Sequence, residues 1–197
     1  AEFSARTLAL HPYLVGLWLG DGTKGVPEYI KPSPELAQRL RRFGMEVTER
    51  LRGKNYIPYV SHLFQRGVFL LGSHKRYIPD EYKYNTIANR TELLKGILDS
   101  DGEVNTSGSI GYASTSRRLL EDVVWLVRSL GGKARIQDAT KHGWYPDGKG
   151  ERILCKDCHR ATINLDWNPF TIEHRKAAYK PSVHRYFTRW IDTIEYS

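Results

Sequence analysis

The amino-acid sequence predicts an α+β fold made of two similar halves that pack as one compact body. A short apolar segment ending in Asp-Gly occurs twice, as LVGLWLGDG at residues 14–22 and as LKGILDSDG at residues 94–102. Each copy is followed by a strand-forming stretch, an amphipathic helix and then a second strand-forming segment. No linker-like stretch separates the copies, so we place the N-terminal half at residues 1–88 and the C-terminal half at residues 89–197.

The two repeated segments are predicted to be apolar helices that lie side by side in parallel. Pro12 suits the start of the first helix, and Asn89 with Glu92 resembles a capping box at the start of the second. Each helix carries small residues four positions apart, which lets two helix backbones approach closely. These small residues are Gly16 and Gly20 in the first copy and Gly96 and Ser100 in the second.

An amphipathic helix follows each repeated segment. In the first half, Ser33 and Pro34 indicate its start and Gly44 its end, and the apolar face consists of Leu36, Leu40 and Phe43. In the second half, Ser116 indicates the start and Gly131 the end, and the apolar face consists of Leu119, Val123, Val127 and Leu130. The two helices therefore correspond to each other.

Strand-forming segments end each half. Residues 47–63 and 134–165 alternate β-branched and aromatic residues with basic and amide ones, and turn signals at residues 52–55 and 146–148 predict hairpins. One face of each sheet is expected to be apolar and the other basic. A last helix is predicted after Pro181, with an apolar side made of Val183, Phe187, Ile191 and Ile194.

The chain is basic throughout its length. Its 197 residues include 30 Lys and Arg against 22 Asp and Glu, which gives a net charge of +8. Such a charge favours a polyanionic partner such as nucleic acid. With two cysteines and no apolar run long enough to span a bilayer, the sequence favours an intracellular protein without a membrane partner.

Asp21 and Asp101 end the two repeated helices and lie 80 residues apart in the sequence. If the helices are parallel, both acids emerge together where helix dipoles add negative character. A divalent cation relieves the resulting repulsion, and hard oxygen ligands of this kind suit Mg²⁺. The repeat therefore predicts a metal site formed by both halves.

The repeated segments resemble the paired motifs of the LAGLIDADG homing endonucleases. The resemblance implies two αββαββα units related by pseudo-twofold symmetry in a monomer, and two antiparallel sheets that form a saddle on double-stranded DNA. It also implies metal-dependent cleavage of both strands. Two or three divalent ions are expected at Asp21 and Asp101, with Gly20 and Ser100 as further ligands and Mn²⁺ or Ca²⁺ able to substitute for Mg²⁺ in binding.

Within that family the sequence resembles the endonucleases encoded in fungal inteins, because of the segments GLWLGDG and Arg76-Tyr77-Ile78-Pro79. The resemblance implies a basic active-site residue at Arg76 or Lys75 in one half and at Lys176 in the other, with Lys180 in reserve. Asp99, which aligns with Leu19, is expected to be structural. No splicing residues begin or end the sequence, so we expect a free-standing enzyme or an excised endonuclease domain, nuclear in a eukaryotic host.

Sequence recognition is expected on the basic sheet faces, where Arg and Lys pair with guanine and Gln with adenine in the major groove. The candidate DNA-binding residues are Arg50, Arg52, Lys54, Tyr56, Arg135, Gln137, Lys141 and Arg152.

Other functions fit parts of the sequence. The same scaffold could regulate DNA without cutting it, or act as a maturase that helps an intron RNA fold. The segment Cys155-Lys-Asp-Cys158-His159 resembles a zinc or haem signature, but a zinc site needs two further ligands at a suitable spacing and the sequence has no second Cys pair. Buried or incidental thiols are the favoured interpretation.

Overall fold

The structure is a computed structural model that describes residues 2–22, 29–30, 34–45, 47–52, 55–60, 71–106, 108–137, 144–146, 152–154 and 157–181. The helices are α1 (Pro12–Asp21), α2 (Pro34–Arg42), α3 (Asp80–Lys83), α4 (Ile87–Asp101), α5 (Arg117–Ser129) and α6 (Glu173–Ala178). The strands are β1 (Tyr29–Ile30), β2 (Val47–Arg52), β3 (Asn55–Val60), β4 (Gly102–Val104), β5 (Ile110–Ser114), β6 (Lys133–Ile136), β7 (Trp144–Pro146), β8 (Arg152–Leu154) and β9 (His159–Asn164).

Helices and antiparallel sheets are combined as the sequence predicts. One sheet has the strand order β1-β3-β2 and another has the order β4-β5-β9-β6, and every strand pair is antiparallel. β1, β3 and β2 thus occupy the places of β5, β9 and β6, so both halves connect their strands in the same way. In the second half, β7 and β8 come between β6 and β9 in the sequence and form a separate two-stranded ribbon.

The central helices α1 and α4 are both built from the repeated segments, and their starts differ from each other. Pro12 begins α1 as predicted, after an N-cap at His11. The capping box predicted at Asn89 is wrong, because the side chain of Thr86 accepts a hydrogen bond from the Asn89 amide at 3.3 Å and α4 begins at Ile87. The predicted division between residues 88 and 89 therefore falls in the first turn of α4, and it stays a prediction.

The outer helices α2 and α5 begin and end where the sequence indicates. α2 begins at Pro34, and the hydroxyl of Ser116 accepts a hydrogen bond from Leu119 to start α5. Gly44 and Gly131 follow the two helices with φ of 74° and 87°, a left-handed conformation that favours glycine. The predicted cap Ser33 and the predicted helix after Pro181 lie outside the described residues.

The core lies between the central helices, the outer helices and the inner face of the second sheet. It includes Trp18, Leu40, Ile97, Val123 and Ile163, each at most 2% exposed. Among the residues that the structure describes, no helix combines the length and apolar character that crossing a membrane requires.

Candidate active site

The two central helices touch backbone to backbone at Gly16 and Gly96. A Cβ atom on Gly16 would lie 2.3 Å from the carbonyl oxygen of Leu93, and one on Gly96 would lie 2.1 Å from that of Tyr13. Since Leu93 and Tyr13 each lie three residues before the glycine of their own helix, the two contacts are equivalent under a twofold rotation. Since Gly20, one turn after Gly16, meets Ser100, one turn after Gly96, the two helices are parallel.

The parallel packing brings the acid-bearing helix ends together. A Cβ atom on Gly20 would lie 1.8 Å from Oγ of Ser100 and 3.2 Å from Oδ2 of Asp101. The carboxylate of Asp101 thus lies beside the residue that precedes Asp21. Asp21 is exposed and Asp101 is half-buried, so solvent or a ligand can reach the pair.

The donor atoms at this point are all oxygens. They are the carboxylates of Asp21 and Asp101 and the nearby carbonyls of Gly20 and Ser100. Mg²⁺ is commonly held by one or two carboxylates and completes its shell with water and substrate phosphate, so these donors fit that ion. Across the described ranges, no group of three or more His, Cys, Asp or Glu side chains could hold a metal by itself.

Arg76 closes the end of α1. Its side chain is buried, its guanidinium carbon lies 4.4 Å from the centre of the Trp18 ring, and its Nη2 donates to the carbonyl of Gly22. Its Nη1 lies within hydrogen-bonding distance of three carbonyls, those of Trp18 at 3.2 Å, Leu19 at 3.1 Å and Gly20 at 2.9 Å. The carbonyl of Trp18 also accepts from the amide of Gly22 at 2.8 Å. Those of Leu19 and Gly20 belong to the last turn, whose carbonyls a helix leaves without an intrahelical donor.

Helix α5 holds the segment that carries Arg76. The hydroxyl of Ser116 donates to the carbonyl of Arg76 at 2.6 Å, and the buried carboxylate of Asp122 accepts from the amide of Ile78 at 2.9 Å. Lys83 also lies 2.5 Å from the Asp122 carboxylate. A residue that closes a helix of the first half is therefore fixed by a helix of the second half.

Arg175 closes the end of α4 in the corresponding way. Its Nη1 donates to the carbonyls of Leu98 and Asp99, each at 2.7 Å, and its Nη2 lies 3.4 Å from the carbonyl of Ser100. The structure therefore puts Arg175 at this helix end, next to Lys176, which the sequence interpretation selects as the basic residue of the active site. In the run His-Arg-Lys, three adjacent basic residues give no local signal for which one faces the helix.

Asp99 is buried, as a structural residue should be. Its carboxylate accepts from the hydroxyl of Tyr13 at 2.8 Å, from the amide of Thr171 at 2.9 Å and from the amide of Ile172 at 3.4 Å. The hydroxyl of Thr171 also donates to it. Asp99 thus ties the loop before Arg175 to both central helices, and every described contact of its carboxylate is structural.

The predicted lysines are exposed. Lys75 lies in a single 3-10 turn at Ser73–Lys75, directly before Arg76. Lys176 lies 3.9 Å from the Glu173 carboxylate in α6, and Lys180 is exposed after that helix. Their predicted roles at a phosphate stay predictions.

Charges couple Arg76 to both acids. Burial lowers the pKa of Arg76 from its ordinary value, while the charges of Asp101 and Asp21 act in the opposite direction. Burial also raises the pKa of Tyr112, and the charge of Asp101 adds to that rise. Tyr112 is therefore a neutral phenol next to Asp101 and Arg76, a neighbour that the sequence interpretation missed.

The outward face of the four-stranded sheet is basic and polar. In β6, Arg135 is exposed, and beyond the strand Gln137 is exposed and its Nε2 lies 3.2 Å from Oγ1 of Thr162. The register pairs Arg135 with Thr162, and alternation adds four residues that the sequence interpretation missed. These four are Lys133, Arg160, Asn164 and Glu103. Period-two alternation within 133–137 and 159–164 is the signal that would have found the first three.

The first sheet is described at the level of its backbone. Arg50 and Arg52 are alternate residues of β2, and Tyr56 of β3 pairs with Leu51. The structure describes no side chain for these three residues. Their roles in DNA binding stay predictions.

Three further sequence candidates have no described side chain. Lys54 and Lys141 lie outside the described residues, and Arg152 is described only as a strand residue that pairs with Pro146. Cys155 also lies outside the described residues, whereas Cys158 is partly buried.

Comparison with known proteins supports the fold. Residues 88–166 match the family model of the LAGLIDADG-like domain, a span that runs from α4 through β9 and includes Asp101. A structure of the homing endonuclease I-DmoI in complex with DNA and Ca is similar with a TM-score of 0.52 and 14% identity over 85% of this chain and 95% of that one. A structure of mesophilic variants of I-DmoI matches with a TM-score of 0.49 and 15% identity over 85% and 91%. The match to the DNA-bound structure, at a TM-score of 0.52, shows that this chain has the LAGLIDADG fold of I-DmoI.

One curated relative comes from a bacterium. The replicative DNA helicase DnaB of Mycobacterium intracellulare is 30% identical over 175 residues, which are 89% of this chain and 27% of the helicase. The chain therefore spans about a quarter of the length of that relative.

Proposed function

We propose that this chain is a site-specific endonuclease of the homing type, which hydrolyses phosphodiester bonds in both strands of a long duplex DNA target with divalent metal. The observation that carries the proposal is the meeting of Asp21 and Asp101 at adjacent ends of α1 and α4. Each acid comes from a different half, so one chain provides a complete site and acts as a monomer.

The donor set determines the metal chemistry. Asp21 and Asp101, with the carbonyls of Gly20 and Ser100, would hold two or three Mg²⁺ ions, for which Mn²⁺ or Ca²⁺ can substitute in binding. When bound, such an ion supplies a Lewis acid to the scissile phosphate. Lys75 and Lys176, each next to an arginine that closes a helix end, are the candidates for a positive charge at that phosphate.

The sheet faces would read the DNA. Lys133, Arg135 and Arg160 provide positive charge on the second sheet, and Gln137 and Asn164 provide amides that suit adenine. Arg50 and Arg52 take the corresponding part in the first sheet. Among the described residues of the second face, Glu103 is acidic, and Arg160 is 3.7 Å from its carboxylate. DNA as partner implies an intracellular site of action, and the nucleus in a eukaryotic host.

We also propose that the chain is the endonuclease part of an intein. A likeness that covers most of this chain but 27% of a helicase is the relation expected when an endonuclease segment is carried inside a longer protein. The fungal part of the expectation rests on the sequence blocks alone, since this relative is bacterial. Expression of the gene with its flanking segments tests the idea, because splicing should yield a host protein that lacks this chain.

Selection from a randomised duplex library tests the cleavage proposal. Incubation with Mg²⁺ should enrich one family of cut sequences, and the double variant Asp21→Asn/Asp101→Asn should enrich none while it still binds them. Binding of duplex DNA without any cut product would favour a regulator. Preference for structured RNA over duplex DNA would favour a maturase, and either result contradicts the proposal.

A further inference from the structure

The ends of α1 and α4 are closed by arginines that stand in equivalent places. Arg76 donates to the carbonyls of residues 18–20 and 22, and Arg175 donates to those of residues 98–100. Residues 18–20 directly precede Asp21, and residues 98–100 directly precede Asp101. Each arginine therefore holds the turn of helix from which one acid projects.

We propose that Arg76 and Arg175 are a symmetry-related pair of positioning residues, which fix the acid-bearing helix ends so that Asp21 and Asp101 share one metal site. The inference rests on the proposed function and deepens it. It differs from the sequence interpretation in two ways. It gives Arg76 a role through the helix end instead of at the phosphate, and it gives the matching role to Arg175 instead of Lys176.

Arginine suits this role for a geometric reason. The last turn of a helix presents several carbonyls without donors, together with the negative end of the helix dipole. A guanidinium has five N–H donors in a rigid plane and keeps its charge, so one side chain satisfies several carbonyls at once. A lysine ammonium carries its charge at one point on a flexible stem and spans fewer of them.

Each arginine also connects the two halves. The Arg76 segment is held by Ser116 and Asp122 of α5, which belong to the second half. In the corresponding place of the other half, the amide of Glu173 donates to the carboxylate of Glu35 in α2 at 2.9 Å, which fixes the Arg175 segment on the first half. Each arginine thus lies between a central helix of its own half and the outer helix of the other. A shift of one half relative to the other would therefore move the arginines, and with them the helix ends that carry the two acids.

The charge of the arginines alone predicts a different effect from their position. A bare positive charge near two carboxylates repels a metal ion, so its removal should tighten metal binding. A positioning residue has the opposite effect, because its removal lets the acids spread apart. Changes to residues that orient metal ligands typically cost about 10- to 100-fold in metal affinity.

Terbium binding tests the proposal without DNA. Tb³⁺ is a hard cation whose luminescence is sensitised by a nearby tryptophan, and Trp18 lies one helical turn before Asp21. Titrations should show that Arg175→Gln and Arg76→Gln each weaken Tb³⁺ binding by about 10- to 100-fold. Arg76→Lys and Arg175→Lys, which keep the charge, should lose part of that affinity. Where a Gln variant does not fold by circular dichroism, the Lys variant of the same residue decides the test.

The matched control is Arg128→Gln. Arg128 also donates to a main-chain carbonyl, with its Nε 3.2 Å and its Nη2 2.8 Å from the oxygen of Ala134, but it lies at the end of α5. Its removal should leave Tb³⁺ affinity unchanged. Unchanged or tighter Tb³⁺ binding in the arginine variants would overturn the proposal, as would a loss in Lys176→Gln that the Arg175 variants do not show.

A parallel cleavage assay separates the two proposals. Suppose that wild-type protein cuts DNA and that the arginine variants cut it at the same Mg²⁺ concentrations. The positioning role is then wrong and the endonuclease function stands. If the arginine variants weaken Tb³⁺ binding but no DNA is cut by wild-type protein, the positioning role stands and the endonuclease function is wrong.

Discussion

Asp99 of α4 and Leu19 of α1 occupy the same position of the repeated segment, and both are buried, yet they interact with different partners. Asp99 accepts hydrogen bonds from Tyr13, Thr171 and Ile172, whereas Leu19 packs in the apolar core. The loop before Arg175 is therefore tied to a central helix by an acid. The loop that carries Arg76 reaches α1 through Arg76 itself, and its main chain is held by Ser116 and Asp122 of α5.

This difference shows that two halves with one topology need not be stabilised in the same way. The strand connections are the same in both halves, and the glycine contacts between α1 and α4 are equivalent. The hydrogen bonds that hold the loops of Arg76 and Arg175 differ between the halves. We therefore expect the second half to depend on its own buried acid, and the end of the first half to depend on contacts made by the second.

The largest expected effect on stability comes from Asp99→Leu, which gives the second half the residue of the first. The change leaves the buried hydroxyl of Tyr13 and the amides of Thr171 and Ile172 without their acceptor, so the free energy of unfolding should fall by about 3–5 kcal/mol. Urea denaturation measures it, with the exposed Asp166→Asn as control. A loss no larger than that of the control would show that the buried ties do not stabilise the second half.

The glycine contacts should be equally sensitive on both sides. Gly16→Ala and Gly96→Ala each push a methyl group against a backbone carbonyl, and each should cost about 1–3 kcal/mol or more. Gly111→Ala is the control, since a Cβ there meets its nearest atom at 3.7 Å. Thermal unfolding compares the three variants, and a clear inequality between the first two would break the proposed twofold relation of the helices.

The outward sheet faces should contribute to DNA binding through separate charges. Arg135→Ala on the second sheet and Arg50→Ala on the first should each weaken DNA binding by about 1 kcal/mol or more. Where the arginine contacts a DNA phosphate, its removal should also reduce the salt dependence of the affinity by about one phosphate contact. Fluorescence anisotropy at several salt concentrations measures both. If only one sheet responds, the saddle does not use both halves.

The smallest expected effect separates the helix starts. Burial lowers the pKa of His11 from its ordinary value of 6.5, and Arg39 adds to this against the charge of Glu92. Since Nδ1 of His11 accepts from the amide of Tyr13 at 3.3 Å, its stabilising contribution is complete above about pH 6.5 and is lost as the pH falls through the lowered pKa. The contribution should be only a few tenths of a kcal/mol, because the ring is partly exposed.

His11→Asn should therefore flatten the fall in stability between neutral and mildly acidic pH, while the exposed His174→Asn should not. Thr86, which caps α4, does not titrate, so no similar dependence is expected at the other central helix. Urea denaturation at several pH values measures the effect. An unchanged pH profile in His11→Asn would exclude this difference between the helix starts.

Local sequence patterns predict most of the fold. The duplication, both outer helices with their terminal glycines, and the pairings of β2 with β3 and of β7 with β8 follow from spacing and turn chemistry within a few residues. The start of α4 was misplaced because Thr86 and Asn89 are both good caps, and tertiary contacts decide between them. The pairing of Arg175 with α4 required the packing of α6, which no local pattern contains.

The site was predictable to the level of its acids, because Asp21 and Asp101 are repeated in phase. Its surroundings were not. Tyr112 comes to Asp101 through strand pairing, and the outward row of β9 depends on its register with β6. Both depend on which strands meet, and not on which residues form strands.

A double-mutant cycle on the rate of DNA cleavage tests most directly whether Asp21 and Asp101 form one centre. If they do, Asp21→Asn and Asp101→Asn should each reduce the rate as far as the double variant does, because residues that act as a unit are not additive. Equal losses in all three proteins are the predicted result. Single losses that multiply in the double variant would show two independent sites and would contradict this account.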